Sequence, residues 1–314
     1  MKSLRNTNTF TDLEEQTMKS KIQFLLSMII FGTIGVFVRY IDLSSSEIAL
    51  LRGLIGSLFL TTVMFLMKKK ISWAIVKVNA LILLLSSIAL GGNWIFLFQA
   101  FKHTTLSNAT LSYYFAPVIV LIVSPFVLKE KLSVKKIICI AVAMLGMLFI
   151  VGNGGVNTSG LNDLIGIGYG LMAAVLYASL MLLNKFIKNM DGLETTVLQL
   201  GTATILLMPY VFFTEGFGIL EVSSSSIPFI LILGVIHTGI GFLLFFSGMQ
   251  KLKGQSIAAL SYADPITSLV ISALILQEQM TFVQILGGAL LLGATFVSEN
   301  NSINLPNRLK TTTK

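Results

Sequence analysis

Across 314 residues the chain is 54% apolar and only 11% charged, with a mean hydropathy of +0.86. That balance excludes an ordinary soluble globular domain, for which about 25% charged residues is typical. The net charge of +8 does not call for a nucleic-acid partner, because the lysines and arginines are dispersed over many short polar breaks and form no single stripe.

A single cysteine, Cys139, can form no internal disulfide, so the fold asks for no oxidising compartment; within an apolar run it reads as packing. The apolar runs are about 20 residues long, which suits helices crossing a ~30 Å hydrocarbon layer and is too long for barrel strands. Helices are also the form in which backbone amides satisfy one another where lipid cannot.

Residues 1–21 are polar, carry Lys2, Arg5, Lys19 and Lys21 beside Asp12, Glu14 and Glu15, and contain no hydrophobic signal region. They read as a tail ahead of an uncleaved first span. Ten spans follow, at about 22–41, 47–67, 79–101, 107–128, 134–152, 164–186, 193–213, 227–249, 255–276 and 282–298, and residues 299–314 form a second tail.

Charge tests that count, because Lys and Arg collect in short cytoplasmic loops. With the N-terminus inside, nineteen of the 22 basic residues fall on the inner side, Arg39 and Lys102 fall outside, and Arg52 lies within span 2. One missed or spurious span would swap the side of every later loop and destroy this separation. The expectation is a multi-pass protein of the cell membrane with both termini cytoplasmic.

The stretch from Asn108 to Glu130 has an echo from Ser256 to Glu278: an offset of 148 residues pairs Tyr114 with Tyr262, Pro117 with Pro265 and Glu130 with Glu278. Five spans per copy is an odd number, so the second copy enters the membrane upside down. The corners agree, since Lys129-Glu130-Lys131 is basic and its mate Gln277-Glu278-Gln279 has lost both lysines. The expected fold is an all-α integral membrane protein of ten transmembrane helices arranged as two inverted five-helix repeats, 22–152 and 164–298. The glycine-rich joint at 153–163 lacks a GKS or GKT sequel and reads as a linker, not as a phosphate cradle.

Taken together, Glu47-Ile-Ala-Leu-Leu-Arg52-Gly53, Tyr114 to Pro117 with Glu130, Tyr262 to Pro265 with Glu278, Gly146, and the series Gly287, Gly288, Gly293 resemble the drug/metabolite transporter superfamily, and within it the EamA-type transporters. The resemblance spans about residues 22 to 298. It implies a substrate path between the two halves, reached alternately from each side, in exporters of amino acids or other small metabolites.

Inverted repeats give alternating access a physical route, with the site near the midplane between the halves. Asp264 is the leading candidate there, because an acid at a helix centre costs about 2.5–3.5 kcal/mol on insertion scales. Ser261, Asp264, Ser268 and Ser272 share one face and could line a wet path; an acid satisfied by hydroxyls and loosened amides is the other reading. A buried acid is also a candidate carrier of a coupling proton.

Glu47 and Arg52 are about 140° apart around the helix and form no i,i+4 pair. Glu47 suits the helix dipole of a first turn, and Arg52 either snorkels to the surface or holds a carboxylate. Asn93 and Trp94 interrupt span 3 after Gly91-Gly92, where packing is the simple reading. Tyr113 and Tyr114 are candidates for a pocket wall or an interfacial belt, and for Tyr114 the echo in Tyr262 favours the path. His237 has no acid or cysteine at metal-ligand spacing, so packing or a proton relay with Asp264 is expected over a metal site. Gln199 takes roughly the place of Arg52 in the second copy.

Rival classes fare worse. A membrane aspartyl protease wants two midplane acids, a serine hydrolase a GxSxG-type elbow, and an ATP-driven pump a Walker A loop, and none is present. No cofactor motif is found. A passive channel and a non-transporting membrane interaction protein stay open as alternatives, as do monomer and homodimer, since the Gly166/Gly170 GxxxG in a ten-span bundle more often packs neighbours within one chain.

Overall fold

The computed structural model describes residues 2–38, 40–104, 106–131, 133–151, 161–216, 222–274 and 281–300, and the regular structure among them is helical. Helix α1 (Lys2–Gly32) is followed by the short α2 (Ile34–Val38), then α3 (Ser45–Leu66), α4 (Trp73–His103), α5 (Leu106–Tyr113), α6 (Ala116–Val127) and α7 (Val134–Val151). The second half contains α8 (Leu161–Leu183), α9 (Gly192–Glu215), α10 (Ile227–Ile232), α11 (Gly241–Met249), α12 (Gly254–Leu260), α13 (Ala263–Leu274) and α14 (Phe282–Asn300). A 3-10 turn (Asn184–Phe186) closes α8, and a π-helical stretch (Leu233–Ile240) joins α10 to α11.

Six helical stretches among the described residues are long and apolar enough to cross a membrane: Glu15–Val38, Ser45–Leu66, Trp73–Ala100, Leu164–Phe186, Gly192–Glu215 and Ile227–Met249. Large apolar side chains such as Phe126, Phe213 and Phe296 project outward and are 80%, 83% and 70% exposed, which water would penalise and lipid would not. The chain is a multi-pass membrane protein. Residues 153–160 of the 153–163 linker, Arg39 and the Gln277-Glu278-Gln279 corner lie outside the described residues, and the linker's last three residues already belong to α8.

The structure departs from the sequence reading in three places. The first helix begins at Lys2, so the polar tail continues the first span as one helix. The runs read as single spans at 107–128 and 255–276 are each two helices, α5/α6 and α12/α13, broken just ahead of Pro117 and Pro265. A proline offers no amide and restrains the residue before it, so the ladder lapses there and restarts with Pro117 in the first turn of α6. The third break is at Thr33, between α1 and α2, where Thr33 Oγ1 donates to Ile30 O at 2.7 Å.

Matched helices of the two halves pair across the molecule. α3 packs on α9 and α7 on α14, α6 packs on α12, the segment just ahead of its counterpart α13, and α1 packs on α11 as α8 packs on α4; exchanging the halves converts one of these last two pairs into the other. Both α3 and α9 open with a capping box, Ser44 with Glu47 and Asp191 with Glu194. The pair runs antiparallel: Ser46 at the start of α3 donates to Glu215 at the end of α9 at 2.6 Å, and Lys69 beyond the end of α3 pairs with Asp191 at the start of α9.

α4 and α8 are likewise antiparallel, Asn79 meeting Lys188 at one end and Thr104 lying against Gly166 at the other. At the centre a ring cluster of Phe24, Phe31, Phe242, Phe245 and Phe246 joins α1 to α11.

Candidate functional site

The breaks in α1 and in the two proline-bearing runs shape one cavity of about 740 Å³ between the halves. Gly32 fixes its first wall: a Cβ there would sit 2.6 Å from Asp264 O and from Thr267 Cβ, so only glycine lets the end of α1 lie against the first turn of α13. α2 then turns Ile34, Gly35, Val36 and Val38 into the cavity. The first two turns of α3 contribute Ser45, Ile48, Ala49 and Arg52, and α4 contributes Asn93 and Trp94. Ser45, exposed in the first turn of α3, stands where the chamber opens, and Ser268, exposed on α13, is part of its wall beside Gly32. Away from the mouth the wall passes through Phe31, Tyr177 and Phe242 into the ring cluster, where Phe24, Phe245 and Phe246 are fully buried.

The polar groups in this apolar chamber are few and specific. The Arg52 guanidinium lies 4.7 Å from the centre of the Trp94 ring, and its Nε is buried with no hydrogen-bond partner in the protein. Asn93, 3% exposed, donates to Ala173 O at 2.8 Å and is a side-chain partner of Tyr113. Tyr113 stacks on Tyr177 with ring centres 5.5 Å apart. The Tyr114 hydroxyl is the hydrogen-bond partner of the Asp264 carboxylate. Tyr113 lies within the electrostatic reach of both Asp264 and Arg52, so a guanidinium and a carboxyl group face one chamber.

Of the candidates drawn from the sequence, the cavity gathers Arg52, Asn93, Trp94, Tyr113, Tyr114, Asp264 and Ser268. Four lie outside its wall. Glu47 closes the capping box of α3, its Oε2 accepting from Ser44 N at 2.9 Å. Ser261 donates to Ile257 O at 2.8 Å. Tyr262 is 0% exposed and its hydroxyl has no partner in the protein. His237 sits in the π-helical stretch, meets Thr33 Oγ1 at 2.8 Å and packs edge-on against Phe37, so it braces the α1–α2 break from behind the chamber.

Tyr177, Thr110, Phe31 and α2 line the chamber without having been singled out in the sequence. The Gly32 and Gly35 pair was a readable sign of a break in the first span, but nothing local set Tyr177 apart from an interfacial tyrosine. Among the described residues no group of three or more His, Cys, Asp or Glu is placed to hold a metal ion.

Comparison with known proteins gives a consistent picture. The sequence profile of the EamA-like transporter family matches residues 18–152 and again residues 164–299. An uncharacterised transporter, YxxF, of Bacillus subtilis (strain 168) is 32% identical over 277 residues, covering 87% of this chain and 87% of that protein. An uncharacterised inner membrane transporter, YicL, of Salmonella typhimurium (strain LT2) is 25% identical over 90% of this chain and 95% of its own length. One crystal structure superposes with a TM-score of 0.78 over 90% of this chain and 98% of its own, at 17% identity, a likeness of fold alone.

Proposed function

Because the chain belongs to the EamA-like transporter family, carrying its domain twice, we propose that it is a secondary active carrier that exports small metabolites such as amino acids by alternating access between two inverted five-helix repeats. The membrane-embedded helices number ten in this reading, with repeats at 22–152 and 164–298, tails at 1–21 and 299–314, and both termini cytoplasmic.

The observation that carries it is the chamber between the halves, open beside the start of α3 and backed by the buried ring cluster. A blind chamber suits a carrier caught facing one side, whereas a passive channel needs a passage past those rings. The antiparallel setting of α3 and α9, which begin with matching capping boxes, supports inversion of the repeats. The basic corners at Lys69, Lys131 and Lys251 lie at the end away from the chamber mouth, so the positive-inside rule makes this the outward-facing state.

Arg52 and Asp264 define what the chamber can hold. A solute with a carboxylate and an amine satisfies the free Nε of Arg52 and the carboxylate of Asp264 at once, and the aromatic wall accepts its apolar part. Asp264, paired with Tyr114, is the residue assigned to carry the coupling proton. The test is counterflow of radiolabelled amino acids in proteoliposomes at several pH values, with Asp264→Asn compared to the parent. Loss of concentrative uptake and of its pH dependence is expected. An Asp264→Asn protein with full rate and unchanged pH dependence removes the residue from the mechanism, and solute movement that never exceeds equilibration makes the protein a channel.

A further inference from the structure

The two halves keep register closely enough to ask what became of each chamber residue in the other copy. The capping boxes at Ser44/Glu47 and Asp191/Glu194 set an offset of 147 residues for α3 and α9. Ile48, Ala49 and Arg52 of the chamber wall thereby correspond to Thr195, Thr196 and Gln199. The proline-bearing runs, offset by 148, match Tyr113 and Tyr114 with Ser261 and Tyr262, and Asp264 with Ala116.

All of these counterparts are shut away: Thr195, Thr196, Gln199 and Tyr262 are 0% exposed, Ser261 3% and Ala116 1%. Thr195, Thr196 and Ser261 donate their hydroxyls to Asp191 O, Gly192 O and Ile257 O of their own helices, but the other two polar counterparts are not satisfied. Gln199 Oε1 and the Tyr262 hydroxyl are buried without a hydrogen-bond partner in the protein, although Gln199 Nε2 reaches Ser86 and Asn184. Buried polar atoms are ordinarily paired, and an orphan calls for an explanation. The mates of these two orphans, Arg52 and Tyr114, both face the open chamber.

We infer that Thr195, Thr196, Gln199, Ser261 and Tyr262 form a second station on the solute path, closed in this state and opened to the cytoplasmic side when the chamber closes. The inference rests on the alternating-access reading above. In the open form the orphan atoms of Gln199 and Tyr262 meet water or the polar groups of the solute, which repays their burial here. The station differs from the chamber in kind. Arg52 is replaced by a neutral amide and Asp264 by Ala116, so it offers hydrogen bonds without formal charge. It takes the same solute through its neutral hydrogen-bonding groups and holds it less tightly than the charged chamber does.

Single-cysteine proteins in a Cys139→Ala background test this with the charged, membrane-impermeant reagent 2-sulfonatoethyl methanethiosulfonate. Gln199→Cys and Ser261→Cys report on the station in inside-out vesicles, and Thr110→Cys reports on the chamber from the other side. Thr204→Cys is the reference, because Thr204 lies on the same helix as Gln199 at 3% exposure but packs on Gly53.

The station reporters are expected to react at least tenfold faster than Thr204→Cys. Should Gln199→Cys fail to fold, Ser261→Cys carries the test, being nearly isosteric. Station reporters as slow as Thr204→Cys, with Thr110→Cys reactive from outside, overturn the station and leave alternating access standing by another route. Thr110→Cys inert from both sides removes the open chamber itself, and the station with it.

Discussion

Replacing Glu130 with glutamine loosens the end of the bundle remote from the chamber mouth. Glu130, half-buried after α6, accepts from the Gly254 amide at 2.9 Å through Oε1, tying the first half to the first turn of α12. Two further bonds join the same segments: Gln255 Nε2 donates to Lys131 O at 2.6 Å, and Lys136 Nζ donates to Ser256 Oγ at 2.9 Å. A hydrogen bond to a charged group contributes about 1.5–3 kcal/mol and a neutral one about 0.5–1.5 kcal/mol. Glu130→Gln keeps an acceptor of the same shape and therefore costs this closure about 1 kcal/mol, the difference between the two. That shifts the ratio of closed to open inner ends by about fivefold.

Spin labels on Lys131→Cys and Lys253→Cys, both exposed positions, read the ratio directly as short and long populations in a pulsed dipolar measurement. The expected result is a roughly fivefold gain of the long population in Glu130→Gln, with a melting temperature lowered by no more than a loss of about 1 kcal/mol allows. An unchanged distribution in a well-folded variant refutes the assignment of this carboxylate to inner closure.

Two other perturbations address the scaffold. Gly146→Ala places a Cβ 2.6 Å from Gly287 O, forcing α7 from α14; overpacking of this kind costs about 1–3 kcal/mol, and a melting temperature equal to the parent's contradicts so close an approach. Asp191→Ala removes the N-cap of α9, worth about 1 kcal/mol, along with the pair to Lys69, which solvent screens to well under 1 kcal/mol because its side chains are 38% and 44% exposed.

The pH dependence of Asp191 has a definite sign. Partial burial alone would raise its pKa, but hydrogen bonds from Lys69 and from the Glu194 and Leu193 amides outweigh that and hold it below 3.8. A carboxylate depressed by folding stabilises above its unfolded value and loses that contribution as pH falls through the folded one. Melting below about pH 4 should therefore drop less steeply in Asp191→Asn than in the parent.

Much of the architecture was legible because it rests on one-dimensional signals. Apolar length sets the spans, and the repeat of Tyr, Pro and Glu at a fixed offset discloses the duplication. The capping box at Ser44 and Glu47 settles locally what Glu47 contacts, a matter its charge alone left open. The helix breaks were harder to read: a proline was seen in each run, but the lapse falls ahead of it and turns Tyr114 and Asp264 into one chamber.

Long-range partners left no local trace. Thr33 and His237 are 204 residues apart and meet where the π-helical stretch that carries the histidine packs on α1. Tyr177 enters the wall through the packing of α8 on α4, a relation that no periodicity within α8 encodes.

The claim beneath the rest is that matched helices of the two halves start from opposite faces of the membrane. Asp42 and Lys188, both exposed, lie just ahead of the capping boxes of α3 and α9. Single cysteines at these positions, treated in intact cells with an impermeant maleimide, measure it directly. The account predicts that Asp42→Cys is modified at once and Lys188→Cys only after the membrane is permeabilised. Modification of both from the same side would contradict it.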